Sequence, residues 1–230
     1  VKAIYKRGAR DFLGISYVPD IKSVNILLHD QKVIICGIPK VATTSFIKEF
    51  VYKKNYGSNV ELHSESLVNL LNRKPKLRAY YKIAFVRNPW ARVLSLYNSK
   101  ICNPNPHFVK SFFIKYKGLY YGMPFSDFVH WLCETEEGSD SIADRHWLSQ
   151  YHFITKNGDL LVDHVAKFES MSDELGELAK VIGCEKISLG NYSLKTSMAN
   201  NPYTHAYDDH LTCLVALRYS DDIALFNYKF

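Results

Sequence analysis

Side chains suited to binding an anion follow an apolar run near the start of the chain. Val33 to Cys36 form the kind of run found in strands buried on both faces, and Gly37 and Pro39 end it. Lys40 comes next, and three hydroxyl residues then open a helical pattern. The free N–H groups of a helix start, a lysine and hydroxyl donors together suit a phosphate or a sulfate. The residues predicted to hold this anion are Pro39, Lys40, Val41, Ala42, Thr43, Thr44 and Ser45.

A second anion-binding pattern occupies residues 82–97. Another apolar run, Ile83 to Val86, ends on Arg87, and the next two residues, Asn88 and Pro89, are typical of a helix start. An arginine at a strand end, with Ser95 two turns into the following helix, can bind an anion through two N–H donors and a hydroxyl. The first pattern alone is also compatible with a basic turn that caps a core helix. Together, the two patterns predict a ligand with two separated anionic groups.

The residues from Val33 onward resemble those of a known family. The segment PKVATTS is similar to the 5′-phosphosulfate loop, and FVRNPWARVLSLY to the 3′-phosphate motif, of sulfotransferases that use 3′-phosphoadenosine 5′-phosphosulfate (PAPS). The resemblance is closer to the Golgi carbohydrate sulfotransferases of the chondroitin, dermatan and HNK-1 type and their bacterial relatives. It continues, in order, through FSDF at Phe125, DRHW at Asp144, VAKFE at Val165 and DIALFNY at Asp222.

This resemblance implies a role for each predicted site residue. PAPS would be the donor, and the acceptor would be a carbohydrate hydroxyl on a polysaccharide. Lys40 would stabilise charge on the leaving phosphate, while the loop N–H groups and hydroxyls hold the other oxygens. Arg87 and Ser95 would hold the 3′-phosphate, and Lys195 would cover it from a late basic loop. No metal is invoked, because sulfuryl transfer depends on positioning and on neutralising charge.

Two of the nine histidines are candidates for the base that activates the acceptor hydroxyl. His63 follows a predicted strand between the two motifs, where related heparan 2-O-sulfotransferases carry their catalytic histidine, and we place it first. His146 belongs to the DRHW landmark. For His146, a structural role in orienting its helix through a hydrogen bond stays open.

The order of apolar runs predicts an α/β fold with a central parallel sheet flanked by helices, and the resemblance implies a P-loop-like sulfotransferase fold over a single domain, 1–230. An edge strand is expected over 23–28, a helix carrying His146 over 142–150, and one long helix over 208–226. The main strands are predicted at 33–36, 60–63, 83–86 and 160–168.

Two segments are predicted to lie outside the regular core. Residues 1–30 are expected to form an arm or strap with no chemistry of its own. Residues 101–123, rich in Asn, Pro, aromatic residues and Lys, are the predicted acceptor-binding excursion. An ordinary loop with its aromatic side chains in the core is the alternative.

Composition limits the partners and the compartment. A net charge of +6, from 29 Lys and Arg against 23 Asp and Glu, favours acidic ligands but is too weak for a dedicated nucleic-acid binder. Five widely spaced cysteines suggest neither a disulfide framework nor a zinc site, and no run is long enough to cross a membrane. Because residues 148–163 lack the cysteines that Golgi relatives carry there, we predict a bacterial cytoplasmic enzyme. The alternative is the Golgi lumen, with an N-terminal anchor upstream of Val1.

Two other classes of protein also place anions at strand ends. A nucleotide kinase or another P-loop protein should show GK[ST] and an acidic residue that holds Mg²⁺, and the sequence has no such pattern. A non-catalytic polyanion-binding module would account for the positive charge. It would not explain why Lys40 and Arg87 both follow buried strands.

Overall fold

The protein is built on a five-stranded sheet, seen in a computed structural model that describes residues 22–53, 56–102, 113–190 and 202–230. The strands are β1 (Val24–Leu28), β2 (Val33–Gly37), β3 (Val60–Ser64), β4 (Tyr81–Val86), β5 (Thr155–Lys156), β6 (Asp159–Leu160) and β7 (His164–Lys167). The order across the sheet is β3-β1-β2-β4-β7, while β5 pairs with β6 in a separate hairpin.

The sheet is mixed rather than purely parallel. β1 runs antiparallel to both β2 and β3, so the other four strands point the same way and end at one edge. β1 is therefore an inner strand, and the prediction of an edge strand over 23–28 is wrong. β3 pairs with the outer side of β1, in the register Val24↔Ser64 to Leu28↔Val60. No local sequence pattern reveals this long-range contact.

Helices pack against the sheet and confirm the predicted α/β class. They are α1 (Thr43–Phe46), which continues as a π-helical segment (Ile47–Tyr52), α2 (Leu67–Arg73), α3 (Pro89–Lys100), α4 (Phe125–Glu134), α5 (Tyr151–Ile154), α6 (Met171–Ile182), α7 (Asp209–Arg218) and α8 (Ser220–Phe226). Shorter 3₁₀ turns occupy Pro75–Ala79, Phe168–Ser170 and Tyr203–Ala206. The predicted start of α3 is confirmed, because the Asn88 side chain accepts from the N–H groups of Trp90 and Ala91. The long helix predicted over 208–226 is two helices that meet at Tyr219.

The helix predicted over 142–150 is wrong, since this segment forms turns. Side-chain acceptors replace the helical hydrogen bonds of its backbone. Asp140 accepts from the N–H of Ser149 at 3.0 Å, and Asp222 accepts from the N–H groups of Gln150 and Tyr151 at 2.8 Å each. Such acceptors offer the backbone an alternative to helix, and Asp222 lies more than 70 residues away in sequence.

Two buried clusters hold these layers together. One surrounds the sheet and includes Ile34, Ile35 and Phe85. The other joins α3, α4 and α7, with Trp147 and Tyr219 at its centre. All five cysteines are free thiols. Within the described ranges, no helix combines the length and apolar character that a membrane span requires.

Candidate functional site

A cavity of about 580 Å³ opens at the sheet edge where β2 and β4 end. Its lining includes Ser95, Ser99 and His146. Among the described residues, no acidic side chain lines it. The basic side chains that do are Lys22, Lys40, Lys48, Arg87, Lys100 and Arg145. Because like charges gathered in a partly closed space repel one another, this arrangement favours an anionic ligand.

The loop between β2 and α1 forms one wall of the cavity. Gly37 is required at the strand end because a Cβ atom there would lie 2.3 Å from the carbonyl oxygen of Val24. Lys40 and Ala42 have positive φ angles of 75° and 66°, a conformation that is strained for residues with a side chain. The Thr43 hydroxyl donates to the Ile38 carbonyl at 2.6 Å and closes the loop.

Most of the predicted loop residues reach the cavity. Val41 does not line it, and its side chain is buried in the core, 1% exposed. The lining members are Pro39, Lys40, Ala42, Thr43, Thr44 and Ser45.

Lys40 is the most perturbed of the lysines in this wall. Its Nζ donates to the hydroxyl oxygen of Ser99 on α3, at 2.5 Å. Burial, followed by the charges of three neighbouring basic side chains, lowers the pKa of Lys40 to about 7. An anion bound beside Lys40 would oppose both effects and restore its charge.

Arg87 forms the second wall, at the end of β4. Its guanidinium is buried, stacks over the Phe168 ring at 4.6 Å and donates from Nη1 to the Lys40 carbonyl at 3.4 Å. Burial lowers the pKa of Arg87 to about 10, although the Glu169 carboxylate opposes this effect. Ser95 lines the same cavity two turns into α3. The structure therefore brings the two sequence motifs to one space.

Two later landmarks of the sequence support the Arg87 backbone. The Gln150 side chain accepts from the Arg87 N–H at 2.9 Å and donates to the Arg87 carbonyl at 2.8 Å. Asp222 in turn holds Gln150. Glu169 accepts from the Asn88 N–H at 2.8 Å and from the Tyr228 hydroxyl at 3.0 Å. These residues fix the strand end rather than line the cavity.

His146 faces the cavity as one half of a histidine–carboxylate pair. Its Nδ1 lies 2.5 Å from the Asp144 Oδ1, and the Tyr116 hydroxyl lies 3.4 Å from the other carboxylate oxygen. Burial would raise the pKa of Asp144, but the His146 hydrogen bonds outweigh it and hold that pKa below its usual range. Burial also lowers the pKa of His146, against the opposing charge of Asp144. Since a carboxylate can only accept, Nδ1 carries the proton and Nε2 is left as a proton acceptor.

His63 does not line the cavity. Although it lies near the carboxyl end of β3, its Nε2 is 2.8 Å from Glu61 and 3.3 Å from the Lys74 Nζ. Its Nδ1 faces Arg73 at 3.4 Å. The structure thus brings one of the two candidate histidines to the cavity and leaves the other in an outer ion-pair cluster.

Three predictions fall wholly or partly on residues outside the described ranges. They concern Lys195, the stretch 103–112 of the excursion, and residues 1–21 of the predicted arm. Of the described part of that excursion, no residue lines the cavity, and Tyr116 packs on Trp147 with ring centres 4.6 Å apart.

Sequence reasoning missed several cavity residues. Ser99 follows Ser95 by one helical turn, and Lys100 follows directly at the end of α3, so helical spacing could have indicated both. Arg145 lies inside the DRHW landmark. Lys22 precedes β1 by two residues, and the position of β1 depends on sheet pairing. No group of three or more His, Cys, Asp or Glu side chains in the described ranges is arranged to hold a metal.

Comparison with known proteins gives a consistent result. A model of the sulfotransferase family matches residues 26–229. Carbohydrate sulfotransferase 11 of Mus musculus is 24% identical over 242 residues, which cover 91% of this chain and 68% of the mouse protein. Carbohydrate sulfotransferase 9 of Homo sapiens is 22% identical over 86% of this chain and 48% of that protein. Carbohydrate sulfotransferase 14 of Danio rerio is 33% identical over 87 residues, 33% of this chain and 24% of that protein. No solved structure matches the chain significantly.

Proposed function

Because the chain belongs to the sulfotransferase family, we propose that it transfers a sulfuryl group from PAPS to a hydroxyl group of a carbohydrate. The observation that carries this proposal is the cavity, in which Lys40 and Arg87 meet at two neighbouring strand ends with no acidic side chain in the described lining. A donor with a phosphosulfate and a separate 3′-phosphate supplies two anionic groups for these two cations. The names of the matched relatives support a carbohydrate acceptor.

The donor is assigned to the two walls of the cavity. The loop from Pro39 to Ser45 holds the 5′-phosphosulfate, with the Thr43 hydroxyl closing the loop and Lys40 meeting charge on the leaving phosphate. Arg87 and Ser95 hold the 3′-phosphate. Lys195 stays a proposed cover for that phosphate, from outside the described ranges. We assign no metal, because these residues can neutralise the charge.

His146 is the proposed base, in preference to His63, because it faces the cavity and its Nε2 makes no hydrogen bond within the described ranges. Its Nε2 takes the proton of the acceptor hydroxyl while that oxygen bonds to sulfur and the sulfur–phosphate oxygen bond breaks. The products are the sulfate ester and adenosine 3′,5′-bisphosphate. Asp144 holds the ring and stabilises the imidazolium that forms.

The acceptor is proposed to carry an anionic group close to the hydroxyl that reacts. Lys100 and Arg145 both lower the pKa of His146, so their charges lie close to it, and both line the cavity. Neither is needed for the donor in this assignment. An acidic polysaccharide would place a carboxylate or a sulfate near these two side chains.

The compartment belongs to the proposal as well. The matched relatives come from mouse, human and zebrafish, which supports the Golgi-lumen alternative over the bacterial cytoplasm. Thiol titration of the native protein is the check. Five free thiols would agree with the structure and favour the cytoplasm, whereas a native disulfide would favour the secretory lumen.

Isothermal titration tests the donor assignment. We expect adenosine 3′,5′-bisphosphate to bind tightly in the presence of a chelator and adenosine 5′-monophosphate to bind more weakly, because only the former engages Arg87. A preference for ATP with Mg²⁺ would instead indicate a kinase. Binding of a polyanion such as heparin without binding of either nucleotide would indicate a non-catalytic module.

A further inference from the structure

Arg92 lies beneath the loop that is proposed to hold the phosphosulfate. It lies on α3, between Arg87 and Ser95 in the sequence. Its side chain is 2% exposed and does not line the cavity. Its Nε donates to the Pro39 carbonyl oxygen at 3.3 Å. Arg87 donates to the next carbonyl, that of Lys40, at 3.4 Å. Two arginines of one motif thus hold consecutive carbonyl groups of the other.

The Arg92 contact determines which way one peptide of the loop faces. The Pro39 carbonyl points towards a side chain that is outside the cavity. The Pro39–Lys40 peptide is trans and planar, so the Lys40 N–H points in the opposite direction, away from Arg92. A carbonyl oxygen turned into the cavity would repel an anion, whereas an N–H group attracts one. The contact therefore favours the peptide orientation that an anion requires.

Arg92 is poorly paired for a buried arginine. Burial lowers the pKa of Arg92, and its Nη2 has no hydrogen-bond partner within the described ranges. Tyr219, Asp222 and Asp140 help to offset the buried charge, but the Asp222 oxygens already accept from Gln150 and Tyr151. Burying a guanidinium in this way is costly.

A second buried arginine, Arg218, has the full set of partners that Arg92 lacks. Arg218 donates twice to the Gly138 carbonyl, at 3.0 and 2.8 Å, and forms an ion pair with Asp140 at 2.6 Å. It also contacts Ser149. These contacts give Arg218 a structural role, whereas the Arg92 hydrogen bond goes to a strained loop with two positive φ angles.

We propose that Arg92 is a positioning residue that holds the Pro39 carbonyl from beneath and keeps the loop in its anion-binding form. The inference rests on the proposed function for the identity of the anion. It assigns Arg92 no contact with either substrate. Loss of Arg92 should therefore weaken recognition of the 5′-phosphate and leave recognition of the 3′-phosphate by Arg87 largely intact.

The test compares two nucleotides that differ only in the 5′-phosphate. Affinities for adenosine 3′,5′-bisphosphate and adenosine 3′-monophosphate are measured by isothermal titration, and their ratio reports the contribution of the 5′-phosphate. In Arg92→Met, which keeps the stem but removes the donors, we expect this ratio to fall about tenfold. Binding of the 3′-monophosphate should change little. Arg92→Lys, which keeps the charge with a different donor geometry, should give an intermediate ratio and serves as the second variant if Arg92→Met is unstable.

Arg218→Met is the matched control. It removes a buried arginine of similar exposure whose hydrogen bonds go to Gly138, Asp140 and Ser149, so it should lower the melting temperature without changing the ratio. An unchanged ratio in the Arg92 variants, or an equal fall in Arg218→Met, would overturn this inference but leave the proposed function standing. If the wild-type protein binds neither nucleotide, the proposed function fails and the inference falls with it.

Discussion

Two clusters of charged side chains differ in the balance of their positive and negative charges. The cavity cluster, defined by the six basic side chains of the lining, has no acidic partner in the described lining. The outer cluster on β3 and α2 mixes both signs. Its members are His29, Glu61, His63, Glu65, Arg73 and Lys74.

The pKa shifts in the two clusters have opposite effects on the charged forms of the side chains. In the cavity, burial lowers the pKa of Lys40 to about 7 and that of Arg87 to about 10, so the charged forms are disfavoured. In the outer cluster, hydrogen bonds from Lys74 and His63 lower the pKa of Glu61 to about 2, so its charged form is favoured. In the outer cluster the opposite charges pair with one another, whereas the positive charges of the cavity cluster would be stabilised by an anionic ligand. The comparison predicts activity losses in the cavity and small stability losses on β3.

Replacing the cavity histidine should have the largest effect. In His146→Gln, loss of the base should reduce kcat by about 10²- to 10⁴-fold, since general-base catalysis contributes that much. The affinity for adenosine 3′,5′-bisphosphate should not change, because His146 is assigned to the acceptor side. Steady-state kinetics and isothermal titration check the two halves of this prediction. A variant that retains wild-type kcat would remove His146 from the mechanism.

Lys40→Ala should cause the next largest loss of activity. Loss of a positive charge at the leaving phosphate should raise the barrier by roughly 2.7–4 kcal/mol, by comparison with the loss of one oxyanion donor. The measurement is kcat with saturating PAPS, with circular dichroism as the check of folding. Unchanged turnover in a folded variant would mean that Lys40 does not meet the developing charge.

The pH dependence of kcat/KM for PAPS should be bell-shaped. The rate should rise with pH as His146 loses its proton, below the usual histidine pKa because burial lowers that pKa. It should fall again as free-enzyme Lys40 loses its proton at a pKa of about 7. In Lys40→Arg the falling limb should move to much higher pH, because a guanidinium stays charged. A wild-type profile that is flat from pH 7 to 9 would contradict the lowered Lys40 pKa.

The smallest effect is expected for the outer histidine. His63→Gln should change kcat by less than about twofold and the free energy of unfolding by about 1 kcal/mol or less, because it removes only partly exposed ion pairs. Chemical denaturation and the same kinetic assay provide the comparison with His146→Gln. If His63→Gln loses activity to the extent predicted for His146→Gln, the two clusters have been assigned the wrong way round.

Elements with strong local signals could be predicted from the sequence. The apolar runs of β2 and β4, and the start of α3 at Asn88, were identified because their cues lie within a few residues. For the same reason, the two anion motifs led to Lys40, Arg87 and Ser95, all of which line one cavity.

The errors share a physical cause, which is dependence on distant partners. The inner position of β1 depends on pairing with β3. The turns at 142–150 depend on Asp222, and the contacts of His63 depend in part on Arg73 and Lys74 at the end of α2. A periodic apolar pattern carries none of this information. The choice of His146 over His63 as the proposed base therefore required the three-dimensional arrangement, because their positions in the sequence were not sufficient.

The central claim is sulfuryl transfer from PAPS to a carbohydrate, and a transfer assay with labelled PAPS tests it most directly. The acceptors would be desulfated glycosaminoglycans, capsular polysaccharides, small phenols and steroid alcohols, with Lys40→Ala as the control. We expect label in one or more of the polysaccharides, and we expect Lys40→Ala to lose most of that transfer. Transfer only to phenols or steroid alcohols would contradict the carbohydrate assignment, and a failure to label any acceptor would contradict the proposed activity.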